Sequence, residues 1–378
     1  MTTRIPLDNV CMKKIPTLPS QYDGLIDYVD ISSVDNTEKR IVSMQCISAK
    51  EAPSRAKQLL EVGDILVSTV RPNLNAVAMV EQQTENLLVG STGYCVLRCN
   101  DSVDKRYVFH FCQSPYFIDD MTLQATGASY PAVSSGIVKS STIPNHTLET
   151  QKQVADRLDK VSELIALRKE QLAKLDHLIK SRFVELFGHK GYPEDSLLNL
   201  CNIIDYRGKT PEKVEDGLPF ITAKNVRMHQ MNLEPREYIS KETYDKVMIR
   251  GFPKEGDVVF TTEAPLGNVC RIPHFDTEFY IGQRIVTLQT EKLEPIYLEY
   301  ALSSDDFKTK YMGKSSGSTV TGIRVRLLEQ LTIPVPPMEL QEQFAAFVEQ
   351  TEKSKLAIQQ SLDKLELLKK SLMQEYFG

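Results

Sequence analysis

The residues best suited to chemistry are cations and amides gathered in turn-prone stretches between apolar, strand-like runs. YRGKTPEK begins at Tyr206 and carries Arg207 and Lys209. ITAKNVR begins at Ile221, alternates apolar with polar residues, and carries Lys224, Asn225 and Arg227. Upstream, VRPNLN supplies Arg71, Asn73 and Asn75, and its counterpart EAPLGN supplies Asn268. Two more loops are rich in small hydroxyls: TGASYPAVSS with Ser129 and Tyr130, and KSSGSTVTGIR with Lys314, Ser318, Thr319 and Arg324. An arginine fork matches a guanine edge and a carboxamide matches an adenine edge, because donors and acceptors pair bidentately. Lys and Arg neutralise phosphates, hydroxyls and free amides suit phosphate oxygens, and a tyrosine ring can stack or pack. Different loop residues on one frame would then read different bases. The same composition also describes solvated hairpin loops and strand edges guarded by lysine. At the level of single residues both readings stand.

Catalytic chemistry is poorly represented. There is no G-x-x-x-x-G-K-[ST] phosphate loop, no G-x-G-x-x-G after a strand and no H-E-x-x-H. An Asn-Pro-Pro-aromatic run is missing too, since PVPP ending at Pro337 lies in a linker. The six histidines are scattered, and Asp216 with Lys224 lacks the second acid of a nuclease trio. The expectation is a non-catalytic chain. The seven cysteines are odd in number and dispersed; Cys95 and Cys99 have no His or second Cys pair after them, so reduced, mostly buried thiols are expected over a metal site. The net charge of −5 provides no overall basic signal, so a nucleic acid would have to be met by local patches. No apolar run is long enough to span a membrane, and the first residues lack a signal-peptide core. A cytoplasmic protein without membrane contact is expected.

These loops must be held by a frame, and the frame is written twice. IKSRFVELFG, ending at Gly188, aligns with KKSLMQEYFG, ending at Gly378, at a shift of 190. ETQKQ aligns with ELQEQ at the same shift, as does TGAS with SGST. GDILVST, starting at Gly63, aligns with GDVVFTT, starting at Gly256, at a shift of 193. The order is therefore globular unit (1–145), long helix (146–188), globular unit (189–335) and long helix (336–378).

Leu158, Ile165, Leu172, Ile179 and Leu186 recur every seven residues, as do Phe344, Thr351, Ile358, Leu365 and Leu372. Phe347, Val348, Leu362 and Leu368 lie beside the second series. Each is a coiled-coil seam on a rod of roughly 57 Å. The seams are related without being identical, which suits an antiparallel pair within one chain and a pseudo-two-fold repeat, with the globular units at opposite ends. Strands are expected at 64–70, 87–97, 257–262 and 278–288, and helices at 108–121 and 295–311. The fold class is α+β: two mixed α/β domains with curved sheets, separated by the paired helices.

Taken together, YRGKTPEKVEDGLPFITAKNV, EGDVVFTTEAPLGNV, SSGSTVTGIRVRLLEQLTIPVPPMELQEQ and YVDISSVDN resemble recurring wording of the specificity subunits of Type I restriction–modification systems. The resemblance covers essentially the whole chain. The first repeat departs from it, with GASYPAVSS in place of a GST-type loop and Arg71-Pro72 where the second has Ala264-Pro265. The resemblance implies two target-recognition domains, each reading half of a split target in double-stranded DNA, with the helices as a ruler for the spacer. It implies docking of two modification subunits that carry S-adenosylmethionine and methylate adenine N6. Restriction subunits would add ATP and Mg; no cofactor belongs to this chain. Half-sites on one face of a duplex lie about 34–36 Å apart or a multiple of it, which a rod of this length can span. The competing reading is a coiled-coil scaffold whose two domains bind proteins.

Overall fold

The computed structural model describes residues 3–188, 190–206, 211–282, 284–316 and 321–378. It divides into two compact units, Met1–Leu172 with Ala357–Gly378, and Ala173–Leu356. The division cuts through both long helices, Leu148–Phe187 and Met338–Phe377. Each unit therefore contains one globular part, the near half of the helix that follows it, and the far half of the other helix.

In the first unit a three-stranded antiparallel sheet has Ile65–Ser68 in its centre, between Tyr94–Leu97 and Val77–Met79. All four residues of the central strand are buried, so it reads as a continuous apolar run and not as an alternation. Gly63, which starts the strand's turn, has φ +97°, a conformation that favours glycine. A four-stranded sheet runs in the order Gln45–Ser48, Leu25–Val29, Leu87–Ser91 and Ala56–Leu59, with its middle pair parallel. The expected strand at 87–97 is thus two strands that belong to different sheets. The second unit has an antiparallel sheet ordered Asn202–Asp205, Ile285–Gln289, Val258–Thr261 and Val269–Arg271. Its three-stranded partner centres on Leu218–Ile221, antiparallel to Tyr238–Ile239 and parallel to Tyr280–Ile281.

Each expected single helix at 108–121 and 295–311 is also two: Lys105–Phe111 with Pro115–Gln124, and Pro295–Ser303 with Asp305–Met312. The break falls at Ser114 and at Ser304, equivalent positions in the repeat. Each serine Oγ accepts a backbone N–H three residues on, from Phe117 or Phe307, and so begins a new helix. Helical periodicity continues across the break, which hides it from pattern reading.

The repeat extends to single hydrogen bonds. Tyr107 donates to Pro144 O and Tyr297 to Pro334 O. Gln151 Oε1 accepts from Asp104 N, and Gln341 Oε1 from Glu294 N, both at 2.9 Å. Tyr107 lies 5.1 Å from the ring of Phe377, and Tyr297 lies 4.8 Å from that of Phe187. Each globular part thus seals its core with the last aromatic residue of the helix that follows the other globular part. Truncating either phenylalanine to alanine would cost about 3–5 kcal/mol.

Within each unit the helix segments run antiparallel. In the first, Arg157 donates to Tyr376 and Arg168 to Ser361, so one index rises as the other falls. In the second, Phe183 meets Phe344 while Asp176 meets Lys355. The seam alternates in steps of three and four: Leu158, Val161 and Ile179 are buried, and Ile165, Arg168, Leu172 and Leu175 half-buried. Leu368, expected beside the seam, is 46% exposed, and Lys369 takes the inward position. Among the described residues, no helix is long and apolar enough to cross a membrane.

Candidate nucleic-acid interface

The two hydroxyl-rich loops are pinned in the same way. In the first unit Ala132 bridges to Val70 and to Thr126, and Val133 N donates to Thr69 O at 2.9 Å. In the second, Gly322 bridges to Glu263 and to Ser316, and Ile323 N donates to Thr262 O at 3.0 Å. The frame is therefore common to both units, while the exposed side chains on it differ.

In the first unit the frame brings Arg71 to Tyr130. Arg71 takes a left-handed backbone, φ +49°, fixed by its N–H donating to Pro131 O at 2.7 Å. Its guanidinium lies 5.1 Å from the centroid of the Tyr130 ring, within range of a cation–π contact. Tyr130 is 70% exposed, an unusual state for so large a ring, and Asn73 and Ser129 are exposed nearby in sequence. An open hollow of about 480 Å³ lies between this pair and Ile31, Val34, Asn36 and Leu74.

Asn75 does not join them. It is buried: its amide donates to Cys112 O at 2.8 Å, and its Oδ1 accepts from Lys39 Nζ at 2.8 Å. With both ends of the carboxamide engaged it ties the loop to the core, which corrects its assignment as a base reader. Burial pushes the Lys39 ammonium down to about 8, with Lys369 adding to the effect and Asp35 opposing it.

In the second unit Val226–Arg227 and Gln230–Met231 form a short hairpin. Lys224 and Arg227 are exposed on it. Asn225 is 2% exposed and fully engaged. Its Oδ1 accepts from Thr222 N and Thr222 Oγ1, at 2.9 and 3.0 Å, and its amide donates to Asn232 O and Pro235 O, at 3.0 and 3.2 Å. It closes the neck of the hairpin with all four hydrogen-bonding positions of its carboxamide engaged, which runs against its expected place as a base reader. Asn268 is half-buried and its amide donates to Val226 O at 2.9 Å, so it too steadies the hairpin. Lys314 and Arg324 are exposed on the adjoining loop. Arg207, Lys209, Ser318 and Thr319 lie outside the described residues.

Sequence reasoning missed the buried charges. His229 Nδ1 lies 2.8 Å from Glu299 Oε1, and Arg271 Nε donates to Glu299 Oε2 at 2.6 Å. Arg271 Nη2 reaches both oxygens of Glu352 on the second long helix, at 3.1 Å each. In the first unit His110 Nε2 lies 2.7 Å from Asp159 Oδ1 on the first long helix, and Arg106 reaches Asp156 and Asp159. Burial pushes the His110 imidazolium below its ordinary range, against the pull of Asp159. Among the described residues no three His, Cys, Asp or Glu side chains cluster as metal ligands. Every cysteine is free; Cys46 is exposed and Cys99 half-buried.

The family model for the Type I restriction modification DNA specificity domain matches twice, over residues 10–177 and 196–367. The chain belongs to this family. Among its relatives is a putative type I restriction enzyme MjaX specificity subunit of Methanocaldococcus jannaschii, 24% identical over 345 residues, which cover 83% of this chain and 77% of that protein. The MjaVIII specificity subunit of the same organism is 25% identical, over 68% of this chain and 66% of its own. Among solved structures, a chain from work on complex assembly and conformational transition of the type I R-M system aligns over 99% of this chain and 97% of its own, with a TM-score of 0.62 and 25% identity. The S subunit of a Type-I restriction-modification system from M. genitalium shares the fold, with a TM-score of 0.61 at 14% identity, over 100% of this chain and 96% of that one. Both specificity-domain matches run from a globular part into a long helix, so the family's repeat and the internal repeat coincide.

Proposed function

We infer that this chain is the non-catalytic DNA-specificity subunit of a type I restriction–modification complex, in which each unit reads one half of a bipartite target. The observation that carries this is the repeated loop frame with unlike exposed side chains. Arg71 and Tyr130 stand on one copy, and Lys224, Arg227, Lys314 and Arg324 stand on or beside the other. Exposed cations suit phosphates and guanine edges. The buried amides of Asn75 and Asn225 and the half-buried amide of Asn268 hold the loops in shape.

The paired helices set the spacer and dock two modification subunits. Leu164, Leu167, Leu178, Leu356 and Leu367 are between 44% and 68% exposed along them, apolar side chains open to a partner. S-adenosylmethionine belongs to those partners, and ATP and Mg to restriction subunits where these are present. The test is whether purified chain with modification subunits retains one duplex out of a random pool. Enrichment of a split sequence supports the reading; retention of proteins and no enrichment of any duplex refutes it in favour of a protein-binding scaffold.

A further inference from the structure

The hairpin that exposes Arg227 turns at Met228 and His229, and His229 does not behave like a surface turn residue. Its backbone is left-handed, φ +59°, an uncommon conformation for a residue with a Cβ. Three contacts hold it there. Its N–H donates to Val269 O at 2.7 Å. Its ring stacks on Tyr300, centroids 4.2 Å apart and planes 14° from parallel. Its Nδ1 lies 2.8 Å from Glu299 Oε1. Glu299 is 1% exposed, a depth at which a carboxylate needs partners, and Arg271 supplies the second one. Arg271 also grips Glu352 with one nitrogen on both oxygens, and Tyr300 packs edge-on against Phe344 at 5.3 Å. The hairpin tip is thus fastened to the second long helix twice, once through charge and once through rings.

We propose that His229 is a positioning residue for target recognition: its anchor on Glu299, Arg271 and Tyr300 holds the hairpin so that Arg227 meets the DNA backbone. The proposal rests on the reading of this hairpin as a DNA contact. An exposed two-residue ladder with no such anchor would sample many orientations, and the ordering would be charged against binding. Fixing the turn beforehand removes that charge.

The test measures affinity for a specific duplex against salt, using the complex of full chain and modification subunits, for R227A, H229A, H229G and R227A/H229A. One phosphate contact contributes a slope of about 0.9 in log affinity against log salt. R227A is expected to lower the slope by about that amount. H229A is expected to lower it equally although His229 touches no phosphate, which reduces the salt effect by about 3.5-fold between roughly 50 and 200 mM. The double variant should show no further drop. H229G keeps the left-handed turn without strain while deleting the side chain and its contacts, so it decides the matter if H229A fails to fold. Wild-type slopes in H229A and H229G beside a lowered slope in R227A would overturn the positioning role. A wild-type slope in R227A would overturn the DNA reading of the hairpin and the proposal with it.

Discussion

Replacing Asn225 separates a base reader from a structural clamp. Its carboxamide makes four hydrogen bonds within the hairpin neck and is 2% exposed. Asn225→Ala strands the Thr222 N–H and two backbone carbonyls. A typical bond contributes about 0.5–1.5 kcal/mol net, and a buried group left unpaired costs about 1–3 kcal/mol. Water reaching the neck would satisfy part of this, so a loss of about 2–4 kcal/mol is expected for the second unit. For a unit of this size that lowers its melting midpoint by roughly 5–15 °C. Asn225→Asp keeps the acceptor towards Thr222 and loses both donated bonds, and should fall between wild type and Ala. Calorimetry gives the midpoint, and hydrogen exchange at Asn232 N, which donates to Asn225 O, locates the opening. Target selection from a random duplex pool gives the base preference. The clamp account predicts lower stability and weaker binding of an unchanged sequence. Full stability with a relaxed preference at one base pair would refute it and return Asn225 to the role its type suggests.

Other outcomes follow from the same structure. Adding one heptad to each long helix lengthens the rod by about 10.5 Å, roughly three base pairs of duplex, and should shift the preferred spacer while leaving both half-sites alone; methylation-site mapping with an unchanged spacer refutes the ruler. Tyr130→Ala should weaken binding less than Arg71→Ala, and the two losses should be non-additive, since the ring acts by orienting the guanidinium; independent losses in a double-mutant cycle would contradict this. The His110 imidazole is buried with its Nδ1 unpartnered, and burial holds its pKa below the ordinary histidine range. The unfolded chain then binds the proton first as pH falls, so the first unit loses stability below about pH 6.5 and the loss ends below the folded-state value. His110→Gln should flatten that profile in urea melts; an unchanged profile would place the titration elsewhere.

Much of the architecture was legible because it depends on periodicity and repetition. Seven-residue spacing marks both helices, and exact recurrence of Ile-Pro, Gln and Phe-Gly positions marks the two copies. What stayed hidden depends on partners that no spacing reveals. Asn75, Asn225 and Asn268 have the side chain of a base reader, yet their partners are mostly backbone atoms brought near by turns. Glu299 looks like a helix-face charge, and only the fold places it beside Arg271 and His229. Ser114 and Ser304 break helices whose apolar period runs on across them. Arg71, Lys224 and Arg227 were legible as exposed cations, since long charged side chains in turns usually stay in solvent.

The central claim is that each unit reads its own half of one split target. Sequencing the methylated adenines in DNA from cells carrying this chain and its modification subunit tests it most directly, with a second culture in which residues 189–335 come from another family member. The account predicts two short half-sites around a fixed spacer, and in the exchanged chain a change in one half only. A continuous target, or an exchange that alters both halves, would contradict it.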